Sequence, residues 1–327
     1  MSSRRLRFYS DGIELAAEIH VPADLQNGER RAAILLCQGF ATAAIGKPYS
    51  ALPEFAQHFV EQGYVTMIFD YRGFGESDGV RWRLIPQEQV ADIRNALTFL
   101  QVQDEVDSEN VGLFGTSFGG SNVVYAAALD ERVKCTVSNV PVGCGQRWLR
   151  RLREGWQWRD LMRELDEDWK TRVVTGESRR VPRTHVQWST EPELQPRVKY
   201  LEENEGFCNE LPLETAQAVI DFHPEDVVHR ISPRPILFIS AEGDVLTPNE
   251  AAEELYELAG EPKRWVVIRD VPDHFAVYEE PVRTIIAQEA TDWFTRYLPA
   301  RPENSRSEMF ESLAQPSVRR SPFDDRL

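Results

Sequence analysis

"VGLFGTSFGG", residues 111–120, is an apolar run that stops at a serine set between glycines. Gly-x-Ser-x-Gly arises by chance in a chain of this length with a probability of roughly 0.1, so its surroundings must decide its meaning. They are informative. "VGLF" reads as a buried strand and "FGGSNVVYAAALD" as a helix, so Ser117 falls on the turn between them. Such a turn lifts the serine above the sheet edge in a strained conformation, and Gly115, Gly119 and Gly120 allow the chain to pass closely. The competing reading is an ordinary helix N-cap serine.

Working outward, the same alternation recurs on both sides. "RFYSDGIELAAEIHVP" predicts a hairpin turning at Asp11-Gly12. "AAILLCQG" (32–39) and "YVTMIFD" (64–70) are short continuous apolar runs, as expected of strands buried on both faces. "SALPEFAQHFVEQG" and "IPQEQVADIRNALTFLQ" carry apolar residues at helical spacing. Strand "VKCTVSNV" follows, and later strand "PILFIS", helix "PNEAAEELYELAG", strand "RWVVIRD" and a helix over 281–297. This predicts an α/β fold with a mostly parallel sheet, helices on both faces, and the binding site beyond the carboxyl ends of the strands.

The alternation breaks between 141 and 230. That segment holds Trp148, Trp156, Trp158, Trp169 and Trp188, five of the eight tryptophans. "QRWLRRLREGWQWRDLMRELDEDW" is helical in character, and tryptophans are costly to leave in water, so it reads as an inserted helical cap. The expected organisation is a core of 1–140 and 231–298, a cap of 141–230 and a tail of 299–327. In the tail, Phe310, Leu313 and Phe323 offer docking groups for the body or for a second subunit, which leaves a homodimer open.

A serine nucleophile needs a base, and the base needs an acid to orient it. "AEGDVLTP" after "PILFIS" places Asp244 past one strand end, and "VPDHFAVY" after "RWVVIRD" places His274 past the next. The order Ser117, Asp244, His274 is the one expected of a serine on a strand-to-helix elbow. Glu242 is the rival acid, nearer its strand end, and Asp273 adjoins the histidine. Backbone donors for the oxyanion are expected at Phe118, directly after the nucleophile, and at Phe40 in "QGFATAAIG", with Ala41 as the alternative. "DYRGFGESDG" (70–79) is not a dinucleotide fingerprint, because Asp78 stands where its last glycine belongs; it reads as a loop shaping the site.

With "GTSFG" carrying Ser117, "EGD" carrying Asp244, "DHF" carrying His274 and "DYRGFGESDG" before them, residues 30–298 resemble the α/β-hydrolase superfamily. Within it the chain is similar to the dienelactone-hydrolase-like and Xaa-Pro-dipeptidyl-peptidase-like group, and also to fungal polyketide transferases and thiohydrolases. The resemblance implies a cap after the sixth strand, where 141–230 lies. Two positions depart from the family pattern: Gln38-Gly39 replaces its usual His-Gly, and Pro272-Asp273 replaces the small residues before the histidine.

Composition narrows the partners. A net charge of −16 argues against nucleic acid and anionic membranes, and no apolar stretch approaches the ~20 residues that span a bilayer. Cys37, Cys135, Cys144 and Cys208 show neither metal-ligand nor disulfide-framework spacing, as expected of a cytoplasmic protein with reduced thiols and no metal. The expected function is cofactor-independent serine hydrolysis of an ester, thioester or amide. Trp148 and Trp158 are candidate contacts for a small-molecule substrate with a bulky or aromatic acyl group, or else part of the cap's own core. Acyl transfer, carbon-carbon hydrolysis or lyase chemistry use the same triad, and a ligand-binding receptor is the alternative outside enzymology.

Overall fold

The structure, a computed structural model, describes residues 1–46, 51–187, 195–204 and 207–301. The chain opens with β1 (Ser2–Ser10) and β2 (Ile13–Val21), turning at Asp11-Gly12, then β3 (Arg31–Cys37) and α1 (Leu52–Glu61). Next come β4 (Val65–Phe69), α2 (Pro86–Gln101), β5 (Val106–Thr116), α3 (Phe118–Leu129) and β6 (Val133–Asn139). The sheet resumes with β9 (Ile236–Ala241), α9 (Asn249–Leu258), β10 (Lys263–Ile268) and α10 (Val282–Tyr297).

The eight strands form one sheet in the order β1-β2-β4-β3-β5-β6-β9-β10. Pairing is antiparallel from β1 through β2 to β4 and parallel thereafter. Every residue of β3 and β4 is buried, which explains their unbroken apolar runs. The pleat still divides them. Ala33 and Leu35 pack with Met67, Leu113 and Val123 on one face, while Ile34 and Leu36 pack with Ile68, Phe114 and Phe294 on the other. Because β3, β5, β6, β9 and β10 run parallel, their carboxyl ends share one rim, and the chain must turn there into a loop or helix.

Between β6 and β9 the chain leaves the sheet for α4 (Gly145–Arg151), α5 (Gly155–Thr175), β7 (Arg180–Pro182), α6 (Arg183–Val186), α7 (Gln195–Asn204), β8 (Glu210–Pro212) and α8 (Glu214–Ile220). The helical run read over 146–169 is two helices. A capping box restarts the second, with Glu154 as N-cap and its N–H donating to Gln157 Oε1 at 2.8 Å. The antiparallel pair β7-β8 was not legible, because three residues per strand show no periodicity. The tryptophans also divide. Trp148 is buried and Trp158 partly so, but Trp156 and Trp169 are exposed, with the Arg172 guanidinium over the Trp169 ring. Trp188 lies outside the described residues.

Past α10 the chain is tied back to the body. The Tyr64 hydroxyl donates to Leu298 O at 2.9 Å and the Ala32 N–H to Ala300 O at 3.1 Å. Phe310, Leu313 and Phe323 lie outside the described residues.

Candidate active site

Ser117 links β5 to α3 with φ 55° and ψ −128°, a backbone conformation that L-residues rarely adopt. Its N–H donates to Asn139 O at 2.9 Å and its carbonyl accepts from the Gly120 N–H at 2.8 Å, so the bend is held from both sides. The side chain makes no capping bond, which sets aside the N-cap reading. Two glycines permit the crossing. A Cβ on Gly115 would stand 2.2 Å from Gly119 O, and one on Gly119 would stand 2.3 Å from Cys37 O and 2.5 Å from Gln38 O. The second value shows how tightly the loop after β3 lies against the elbow.

Asp244 and His274 meet on the same rim. Asp244 follows β9 in a loop that curls around its own carboxylate: Oδ1 accepts the N–H groups of Leu246 (2.9 Å) and Thr247 (2.8 Å). Oδ2 accepts the Thr247 hydroxyl at 2.7 Å and His274 Nδ1 at 2.6 Å. An ionised carboxylate only accepts, so this geometry places the imidazole proton on Nδ1 and leaves Nε2 free to take a proton. Thr247 Oγ1, 3.2 Å from Nδ1, fixes the ring from a second direction. Ser117, Asp244 and His274 are only 5, 3 and 4% exposed, so the carboxylate acts in a poorly screened setting.

The rival acids have other uses. Glu242 is exposed and accepts the Asp270 N–H at 3.4 Å. Asp273 caps the short 3₁₀ turn that carries the histidine (His274–Tyr278), accepting from Phe275 N at 2.7 Å and Ala276 N at 3.1 Å. Its proximity in sequence therefore serves local folding. Thr247 and Tyr278 were missed as site residues. Thr247 lies three residues past Asp244 and Tyr278 four past His274, but neither matches a motif.

Phe40 is buried in the loop after β3, and Ala41 behind it has φ 53°. The N–H groups of Phe40, Ala41 and Phe118 have no protein acceptor among the described residues. Asp70 holds this loop in place. Its Oδ1 accepts from Ala44 N (2.7 Å) and Ile45 N (3.2 Å), and its Oδ2 from Glu76 N (2.9 Å), lashing the loop to residues 70–79. Burial pushes the Asp70 carboxyl above the usual range, opposed by those same three donors. Gln38 adds a weak staple through Nε2 to Thr42 O at 3.5 Å, while its buried Oε1 has no hydrogen-bond partner among the described residues.

Trp148 on α4 packs over both phenylalanines, with ring centroids 5.6 Å from Phe40 and 5.8 Å from Phe118, and its Nε1 donates to Leu246 O at 2.8 Å. One side chain thus touches the loop after β3, the elbow and the acid loop. Trp158 is farther out, beneath the Arg150 guanidinium. Among the described residues no cluster of side chains suits a metal ion, and no helix is long and apolar enough to cross a membrane.

A serine elbow, a buried His-Asp pair and free backbone donors on one rim of a mostly parallel sheet invite comparison with known proteins. Residues 11–268 match the model of the X-Pro dipeptidyl-peptidase family, S15. The chain belongs to that family. Among its relatives, an uncharacterized 31.7 kDa protein from the traX-finO intergenic region of Escherichia coli is 30% identical over 269 residues, covering 81% of this chain and 91% of the relative. The thiohydrolase AneE of Aspergillus aculeatus is 26% identical over 290 residues, covering 81% and 84%. The α/β hydrolase GrgF of Penicillium, also named a polyketide transferase, superposes with a TM-score of 0.76 at 23% identity, covering 91% of this chain and 99% of its own. This S15-family chain is therefore an α/β-hydrolase-fold enzyme of the hydrolase class.

Proposed function

We propose that the protein is a serine hydrolase that cleaves a carboxylic ester, thioester or amide through an acyl-enzyme on Ser117. The observation that carries this is the buried His274-Asp244 pair, 2.6 Å apart, on the rim that also presents the strained Ser117. His274 Nε2 takes the Ser117 proton as Oγ attacks the carbonyl carbon, and Asp244 stabilises the resulting imidazolium. The N–H groups of Phe118 and Phe40 receive the oxyanion. The imidazolium then protonates the leaving group, and water, activated by the same histidine, releases the acid.

Residues 141–230 act in this reading as a lid, and 1–140 with 231–298 as the catalytic core. Trp148 supports this division, since it joins the lid to three loops of the core. Placement in the cytoplasm is supported by Cys37, Cys135, Cys144 and Cys208, all buried and none in a disulfide. A bulky or aromatic acyl group suits the aromatic surroundings of the site, where Trp158 is better exposed than Trp148 for contact.

Acyl transfer is the second reading. It is favoured by the low exposure of the triad and by a relative named polyketide transferase, since a dry site lets an alcohol or thiol outcompete water for the acyl-enzyme.

The test is a fluorophosphonate probe read by intact mass and peptide mapping, with a panel of nitrophenyl esters from acetate to aromatic acyl groups. Stoichiometric labelling at Ser117, with turnover abolished in folded Ser117→Ala, is expected. Undiminished turnover in that variant would remove the assignment. Product analysis with an added thiol or alcohol separates transfer from hydrolysis.

A further inference from the structure

Thr247 touches both members of the proposed acid-base pair and both oxygens of the acid. It is 1% exposed and lies three residues past Asp244, in the loop that curls around the carboxylate. Its N–H donates to Asp244 Oδ1 at 2.8 Å and its hydroxyl to Oδ2 at 2.7 Å, so one residue grips the carboxylate at both ends. A carboxylate held at one oxygen can still swing about its Cβ–Cγ bond; held at both, its plane is fixed. The grip is itself stiff. Pro248 disfavours helical backbone at Thr247, and a β-branched side chain has few χ1 states, so the N–H and O–H keep a set separation. The carbonyl of the same peptide unit, Leu246 O, accepts the Trp148 indole N–H at 2.8 Å. That bond polarises the peptide and strengthens the Thr247 N–H as a donor.

The hydroxyl also bears on the histidine's tautomer. Oγ1 has one proton, and that proton lies toward Oδ2, an oxygen that only accepts. What Oγ1 turns to His274 Nδ1, 3.2 Å away, is a lone pair. Nδ1 therefore faces two acceptors, Asp244 Oδ2 at 2.6 Å and Thr247 Oγ1, and keeps its proton whether the ring is neutral or charged. We infer that Thr247 is a positioning residue of the acid-base pair: its hydroxyl completes the clamp on Asp244 and gives Nδ1 a second acceptor, which keeps Nε2 as the basic nitrogen throughout turnover. The proton stays on Oγ1, and no bond to Thr247 forms or breaks.

This inference rests on the serine-hydrolase reading, and the experiment separates the two. Wild type, Thr247→Val, Thr247→Ser, Thr247→Ala and Ser117→Ala are compared for kcat and KM on the nitrophenyl ester turned over fastest, with the Tm of each. The downfield proton resonance of His274 Nδ1–H, assigned by its loss in His274→Gln, is followed by NMR in the same variants. Thr247→Val keeps the shape and removes the hydroxyl; it is expected to lower kcat about 10-fold, the worth of one hydrogen bond to a charged group, with KM within about 2-fold. Thr247→Ser keeps the hydroxyl and removes the methyl, so kcat should stay within about 3-fold of wild type. The Nδ1 resonance should shift or broaden in Thr247→Val and hold its position in Thr247→Ser. Wild-type kcat in folded Thr247→Val overturns the inference. So does a fall in Thr247→Ser as deep as in Thr247→Val, which would make the role one of packing. If Thr247→Val fails to fold, Thr247→Ala and Thr247→Ser decide, and equal kcat in those two overturns it. Turnover by Ser117→Ala would instead refute the nucleophile assignment. The resonance would then still judge the clamp, and an Nδ1 signal identical in wild type, Thr247→Val and Thr247→Ala would overturn it.

Discussion

Trp148→Ala tests whether the proposed lid is mechanically part of the proposed oxyanion site. The indole is buried against Phe40 and Phe118 and bonded to Leu246 O. Removing about 200 Å² of buried aromatic surface at ~25 cal/mol per Å² gives about 5 kcal/mol as an upper value, because the unfolded chain already hides some of it. With partial collapse of the cavity, the expected loss is about 3–5 kcal/mol, or a fall of roughly 10 °C in Tm. Catalysis should suffer separately. The ring braces the loop bearing the Phe40 N–H, and a misplaced oxyanion donor costs up to ~100-fold in kcat. Trp148→Phe keeps most of the apolar contact but strips the bond from Leu246 O, next to the acid loop; a loss of about 1–2 kcal/mol and a milder fall in kcat are expected. The assays are thermal and urea unfolding together with the acyl-ester panel. Acyl preference should keep its rank order in both variants. A changed preference with wild-type stability would refute the bracing argument and make Trp148 a wall of the acyl pocket.

Gly119→Ala would drive a methyl group to 2.3 Å from Cys37 O and 2.5 Å from Gln38 O, and backbone cannot yield as a flexible side chain can. A stability loss of about 2–4 kcal/mol and at least ~100-fold lower kcat are expected, and a soluble variant of normal activity would contradict the crossing described here. Asp70→Asn presents an NH₂ group to at least one of the three N–H donors now facing carboxylate oxygens. A cost of about 2–3 kcal/mol in unfolding free energy and a fall in kcat exceeding any change in KM should be measured; an effect on KM alone would argue against control of the oxyanion loop. His20 supplies a pH dependence. Burial lowers its pKa, Glu18 opposes that, Arg5 adds to it, and neither ring nitrogen has a hydrogen-bond partner among the described residues. Its folded pKa lies below the unfolded value of about 6.5, so below that pH the unfolded chain binds a proton that the folded chain refuses. Stability attached to neutral His20 is present above that pH and lost as pH falls through it. The Tm of His20→Asn should decline less between pH 7 and pH 5 than that of wild type, and parallel declines would show that His20 is not responsible.

Much of this protein is local in origin and was therefore legible. The apolar runs of β3, β4 and β9, the glycines around Ser117 and the turn residues after each strand act over a few positions, and a chain alternating strand and helix has few ways to close into a sheet. Parallel strands then bring their carboxyl ends together, which is why the loops after β5, β9 and β10 place Ser117, Asp244 and His274 on one rim. Longer-range partnerships were decided by the tertiary structure alone. Thr116 and Tyr278 are 162 positions apart, Asp70 reaches back 26 positions to Ala44, and Trp148 meets Leu246 across 98. Tyrosine, aspartate and tryptophan occur in many settings, and no spacing rule distinguishes the copy that meets a distant side chain from the copy that meets water. Whether a tryptophan braces a loop like Trp148 or stands in solvent like Trp156 depends on which helix face the packed core covers, and only the folded chain settles that.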